Sequence, residues 1–181
     1  MEKKISFIGL GAMGGPMATN VIKKGIKLVV YDIDENKKNK VVKEGGTNSK
    51  NILEATKNSE IVITMLPATE QVKNVLLGEN GVINNLNKGS LILDMSTISP
   101  KGTDEIAAEC KKKQLQFVDA PVGRLVSHAI SGESLFMVGC DDEKDFERVK
   151  PLLNAMGTSI IRCGKVRTGI RAKVVNNFQI L

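Results

Sequence analysis

Six residues near the start of the chain have the types and spacing to hold a phosphate. Gly9-Leu10-Gly11-Ala12-Met13-Gly14 fits the pattern GxGxxG. In that pattern the first glycine permits a tight turn, the second lets backbone approach a pyrophosphate, and the third lets a helix lie close to a strand. Alone the pattern is weak, because 17 of the 181 residues are glycine and chance matches are common. Its setting strengthens it. The apolar run Ile5–Leu10 leads into it, and Met13, Met17 and Val21 then step along one helical face. A helix opening at such a loop turns free N–H groups and the positive end of its dipole toward a phosphate. Gly9, Gly11, Ala12, Met13 and Gly14 are thus candidate cofactor contacts, and Pro16 falls in a first turn that tolerates it. Asp32 closes the next apolar run, roughly 20 residues past the third glycine, where an acidic side chain accepts from adenosine ribose hydroxyls and repels a 2′-phosphate. The expected cofactor is NAD rather than NADP. The competing role for Asp32 is to cap a helix starting near Asp34, which Asp34 itself could do.

What must position these residues is a sheet. Apolar runs recur at Ile5–Leu10, Leu28–Tyr31, Ile61–Leu66, Leu91–Leu93, Phe117–Val118, Leu135–Val138 and Ser159–Ile161. They are rich in Val, Ile and Leu without polar alternation, which suits strands covered on both faces. Helical spacing lies between several of them, as at Phe146, Val149, Leu153 and Met156. Strand and helix in alternation predict an α/β fold, a Rossmann-like doubly wound sheet that is mostly parallel with helices on both faces. Pro121–Ser134 shows no helical period and reads as a long loop, of the kind that is usually functional. Ile170 to Leu181 reads as a helix that stops in mid-pattern, with Ile170, Val174, Phe178 and Leu181 on one stripe.

Composition excludes other classes. The net charge is +6, but the lysines are scattered in short clusters (Lys3-Lys4, Lys23-Lys24, Lys37-Lys38, Lys111-Lys112-Lys113) that read as solvated helix faces. Aromatic residues make up 3% of the chain and Trp is absent, so bases find no stacking platform and no nucleic-acid partner is expected. No apolar run reaches the ~18 residues of a membrane span. Cys110, Cys140 and Cys163 are odd in number without CxxC spacing, so neither a disulfide framework nor a metal site is expected. They read as small apolar residues in a reducing, cytoplasmic setting.

Five segments occur in order: Phe7–Asn20 (FIGLGAMGGPMATN), Thr64–Pro67 (TMLP), Asp94–Pro100 (DMSTISP), Asp119–Val122 (DAPV) and Gly169–Asn177 (GIRAKVVNN). Together they resemble the β-hydroxyacid dehydrogenase family, over essentially the whole chain. The resemblance implies an NAD-dependent oxidoreductase acting on a small anionic aldehyde or hydroxy acid, and a homo-oligomer. It places the family's lysine on Lys173, its substrate asparagine on Asn177 and its substrate serine on Ser96, with Met65, Leu66 and Thr97 along the cofactor. The residue types suit those tasks. Lys173, Asn176 and Asn177 stand at i, i+3 and i+4 on one helical face. An ammonium can stabilise and protonate the oxygen formed by hydride reduction, and an amide can hold both lysine and substrate.

After Val122 most members of the family carry Ser-Gly-Gly; this chain has Gly123-Arg124-Leu125. Arg124 brings a permanent positive fork suited to an anion with several oxygens. In this it resembles the 3-sulfolactaldehyde reductase branch of the family, as do Asn154–Gly157 and the Gly-Ile-Arg before Lys173. Gly123 and Arg124 are therefore expected at the substrate, with 3-sulfolactaldehyde favoured and succinate, tartronate or methylmalonate semialdehyde left open. A non-catalytic NAD-binding module is the alternative of another class. His128 is expected at the loop surface. The family's second, helical domain would follow, so residues 1–168 are expected to be the NAD-binding domain and 169–181 the start of an interdomain helix.

Overall fold

The computed structural model describes residues 4–178. Among the described residues nine strands form one sheet: β1 (Ile5–Ile8), β2 (Leu28–Tyr31), β3 (Thr47–Asn48), β4 (Ile61–Thr64), β5 (Leu91–Asp94), β6 (Gln116–Asp119), β7 (Val122–Gly123), β8 (Ser134–Gly139) and β9 (Gly157–Gly164). The helices are α1 (Gly14–Lys23), α2 (Glu35–Lys43), α3 (Ile52–Thr56), α4 (Thr69–Leu77), α5 (Pro100–Lys112), α6 (Val126–Ser131), α7 (Glu143–Met156) and α8 (Thr168–Phe178). Side chains of a strand alternate between faces, and that splits the core in two. Phe7, Ile61, Ile63, Leu91 and Leu93 pack under α1, α2 and α7; Ile8, Val62 and Ile92 pack under α3, α4 and α5. Both faces are covered, which explains the unbroken apolar runs.

The strand order is β3-β2-β1-β4-β5-β6-β8, parallel from β3 to β6, with β8 antiparallel to β6 and β9 parallel to β8. The expected mostly parallel, doubly wound sheet is what forms. Local signals set the helix starts: Asp34 accepts from the N–H groups of Asn36 and Lys37 to open α2, and Ser99 accepts from Gly102 to open α5.

Several expectations need correction. Residues 121–134 are not one long loop. The chain continues past Asp119 as β7, which pairs antiparallel with β8 (Val122↔Phe136, Gly123↔Leu135), and then forms α6. α6 has six residues with Ala129 alone fully buried, too little apolar surface to show a period. β3 has only two residues, both exposed, and carries no strand signal. Lys38 is not on a solvated face: it is 2% exposed, and its Nζ donates to Glu35 Oε1 (2.7 Å) and to the Ser49 carbonyl (3.0 Å). α8 begins two residues before Ile170 and splits the expected stripe. Ile170 is buried in the domain, Val174 is half-buried and Phe178 is 73% exposed; Leu181 lies outside the described residues. Among the described residues no helix is long and apolar enough to cross a membrane.

Candidate functional site

Ile8, Thr64, Asp94 and Asp119 end their strands level with one another, in register across β1, β4, β5 and β6. The loops beyond this edge carry most of the candidate residues. The order β2-β1-β4 makes the chain leave β1 to opposite sides, so a crevice opens between the loops after β1 and β4, where open α/β sheets take their ligands.

The glycine loop is pressed into this crevice. Gly9 has φ +93°, and a Cβ on it would stand 2.3 Å from the Met65 carbonyl oxygen; a Cβ on Gly14 would stand 2.0 Å from the Gly9 oxygen. Those two glycines are required by the protein's own packing. Gly11 is different, because a Cβ there would meet nothing within 4 Å. No clash within the protein demands glycine at that position, and the space beside it suits a group that must approach backbone. The N–H groups of Gly11, Ala12 and Met13 find no acceptor among the described residues, and α1 begins just beyond them. A pyrophosphate fits this cradle of open space, free donors and helix dipole.

Asp32 is half-buried and fastens the loop. Its Oδ2 accepts from Leu10 N–H (2.6 Å) and its Oδ1 from Asp34 N–H (2.8 Å). Asp34 supplies the cap of α2, so Asp32 is not needed for that task. On the other wall Met65 and Leu66 are half-buried and Thr97 is exposed. Ser96 is buried and its Oγ accepts from Leu66 N–H (2.9 Å), which stitches the loops after β4 and β5 together. Beneath it Asp94 accepts from Thr64 Oγ1 (2.9 Å) and Ser96 N–H (3.1 Å). Burial pushes the Asp94 carboxyl up to about 6 against these bonds.

The second cluster lies where β7 runs past the edge. Gly123 is buried against Leu135. Arg124 is exposed at φ +72°, and its guanidinium donates to the Glu133 carbonyl, Thr158 Oγ1 (3.3 Å) and Ser159 Oγ (3.2 Å). These bonds use three of five N–H donors. His128 is half-buried and closes the first turn of α6, its Nδ1 accepting from Leu125 N–H (3.4 Å). α8 packs on β8 and β9. Along it Lys173 is half-buried and its ammonium is pushed below the ordinary lysine range by that burial. Asn177 is exposed, and Asn176 lines a groove with Met137, Ile161, Cys163, Ala172 and Val175.

Sequence reasoning passed over Asp94, Asp104 and Asp119. Asp119 is buried, burial pushes its carboxyl up to about 6, and it accepts from the N–H groups of Arg167 (2.6 Å) and Ile170 (2.8 Å). Asp104 holds Arg171 through two bonds of 3.0 and 2.7 Å. The signal for Asp94 and Asp119 was a carboxylate that closes an apolar run, where water would normally be expected, and that opens one of the segments carrying the resemblance. Burial pushes the Cys110 thiol up to about 12 and also raises Cys140 and Cys163, so none is primed as a thiolate.

Residues 4–164 match the model of the NAD binding domain of 6-phosphogluconate dehydrogenase. The chain belongs to this family. As a member of the 6-phosphogluconate dehydrogenase-like NAD-binding domains it is 43% identical over 174 residues to the 3-sulfolactaldehyde reductase of Escherichia coli, covering 96% of this chain and 58% of that protein. It is also 43% identical over 176 residues to a probable mitochondrial 3-hydroxyisobutyrate dehydrogenase of Dictyostelium discoideum, covering 97% and 54%. A solved 3-hydroxyisobutyrate dehydrogenase of Mycobacterium tuberculosis, with L-serine, superposes with a TM-score of 0.92 at 33% identity, covering 99% of this chain and 60% of that one. The chain thus spans little more than half the length of these relatives, and the match places it among the NAD-binding domains of the β-hydroxyacid dehydrogenases.

Proposed function

We propose that this chain is the cofactor-binding part of an NAD-dependent β-hydroxyacid dehydrogenase that reduces a small anionic aldehyde, 3-sulfolactaldehyde in the first instance, to the hydroxy acid. The observation that carries this reading is the cradle at Gly11, with open space and three free N–H groups at a helix start. When bound there, the nicotinamide cofactor supplies or accepts a hydride. Gly9, Gly11, Ala12, Met13 and Gly14 hold its pyrophosphate. Asp32 accepts from the ribose hydroxyls on lone pairs that its two backbone donors leave free, and its charge disfavours a 2′-phosphate. Met65, Leu66 and Thr97 lie along the cofactor.

Lys173 stabilises and protonates the carbonyl oxygen as hydride arrives, and the burial that lowers its pKa eases that proton transfer. Asn177 orients lysine and substrate, with Asn176, Ser96 and Gly123 around them. Arg124 takes the anionic head. Its two remaining N–H donors form a fork that a sulfonate can meet with two oxygens, and the hydroxyls of Thr158 and Ser159 lie beside it. A carboxylate semialdehyde is the second reading, favoured by the same count, because two donors also match a two-oxygen head. The exposed Val175 and Phe178 on α8 support a homo-oligomer.

Calorimetric titration of NAD(H) against NADP(H) tests the cofactor assignment, and equal or tighter NADP(H) binding would overturn it. For the substrate, Arg124→Ala in the active protein should raise KM for 3-sulfolactaldehyde by about tenfold or more while kcat holds. An unchanged KM removes the sulfonate reading.

A further inference from the structure

We infer that Asp119 is a positioning residue for Lys173: it locks the first turn of α8 onto the ends of β6 and β8 and so determines where the lysine ammonium stands. The inference rests on the reading of Lys173 as proton donor. A helix begins with N–H groups that have no partner within the helix, and these are usually met by a cap from the preceding residues. Here the partner comes from a strand far back in the chain. Asp119 Oδ1 accepts from Arg167 N–H at 2.6 Å, and Oδ2 accepts from Ile170 N–H at 2.8 Å. With one donor on each oxygen, a carboxylate meets both and an amide meets one.

Close packing makes this junction rigid. A Cβ on Gly139 would stand 2.4 Å from Asp119 Oδ1 and 2.9 Å from the Gly169 nitrogen; a Cβ on Gly169 would stand 2.2 Å from the Met137 oxygen. Strand, strand and helix therefore touch backbone to backbone, and α8 cannot slide or roll without a clash. Lys173 stands four residues after Gly169 and three after Ile170, on the same helical face and about 4.5–6 Å further along the axis. From the other side Arg171 is tied to Asp104 on α5 and to the carbonyl of Arg167, the residue just before its own helix (2.9 Å). Asp94, Arg171 and Cys163 are the other titratable groups that feel the Asp119 charge. Burying a carboxylate at this depth is costly unless its bonds are needed, and the element those bonds hold is the one that carries Lys173.

The decisive comparison is between this chain and its Asp119→Asn variant, both without cofactor. The readouts are amide hydrogen exchange and the titration of the Lys173 amine followed by NMR. Exchange of residues 167–173 should quicken by about tenfold or more while β1 and α1 keep their protection. The Lys173 titration should move up toward the ordinary lysine range, and NAD(H) affinity should stay within about twofold. A Lys173 titration unchanged in the variant overturns the inference. Should Asp119→Asn fail to fold, Asp119→Glu keeps the charge but moves both oxygens by one methylene and so shifts the same clamp, and an unmoved Lys173 titration there overturns it equally. Wild-type chain that binds no NAD(H) would refute the dehydrogenase reading, whereas the cofactor-free exchange and titration judge the clamp on their own.

Discussion

The crevice between β1 and β4 and the cluster around β7 and α8 are built by different means. In the crevice the groups proposed to face the ligand are backbone N–H groups, and the residues that shape them lie within a few positions of each other or on directly paired strands. The tight contact of Gly14 with Gly9, and the bond from Leu10 N–H to Asp32, leave little to move. In the cluster the groups proposed to work are long side chains on distant elements: Arg124 is held by bonds at the protein surface, and α8, which carries Lys173, by one buried carboxylate. Binding of a dinucleotide needs only the first kind of construction. Proton transfer at a particular atom needs the second, and its geometry depends on how α8 docks.

The two regions should respond differently to mutation. Gly9→Ala forces a Cβ into the Met65 carbonyl at a positive φ; unfolding by urea should show a loss of about 3 kcal/mol, with NAD(H) binding abolished. Lys173→Ala breaks the second region only. In the active protein kcat should fall by about 10²-fold, with NAD(H) affinity within about twofold by titration. Comparable loss of affinity would mean that the regions are not separable. Gly11→Ala sharpens the contrast inside the crevice. The new methyl enters open space, so urea stability should stay within about 0.5 kcal/mol. It also stands where a phosphate must approach, so the Kd for NAD(H) should rise by about tenfold.

The smallest effect concerns pH. Burial raises the carboxyls of Asp94 and Asp119 from 3.8 to about 6, so the folded chain keeps protons that the unfolded chain has released. The stability they contribute is present below about pH 4 and is lost as pH rises through about 6. Thermal melts across that range should show wild-type Tm declining toward neutral pH by a few degrees relative to Asp94→Asn. Parallel curves for the two proteins would show that Asp94 is not the group responsible.

The central sheet and the crevice were legible because their signals are local. Four-residue apolar runs, a glycine pattern and a capping Asp34 each act within about a turn of themselves. β3 and α6 were not legible, since two exposed residues and one buried alanine make no pattern. Arg124 could be singled out by type and by its place in a loop, but not its present bonds to Glu133, Thr158 and Ser159. Lys38 misled for a related reason: a lysine inside a charged run looks solvated until a distant carbonyl, Ser49, is found to meet its ammonium.

By itself the sequence determined the fold class and the place of the glycine loop between the first strand and the first helix. These depend on backbone propensity and on periodicities of about two and 3.6 residues, which neighbours in the chain decide. Only the tertiary structure decided that Asp119 is buried beneath α8, that Asp104 meets Arg171, and that Phe178 on the expected stripe stays exposed while Ile170 is covered. The donors that Asp119 meets lie 48 and 51 residues further along. A hydrogen bond acts over about 3 Å of space whatever the separation along the chain, so no spacing rule encodes it until the sheet has set the distance.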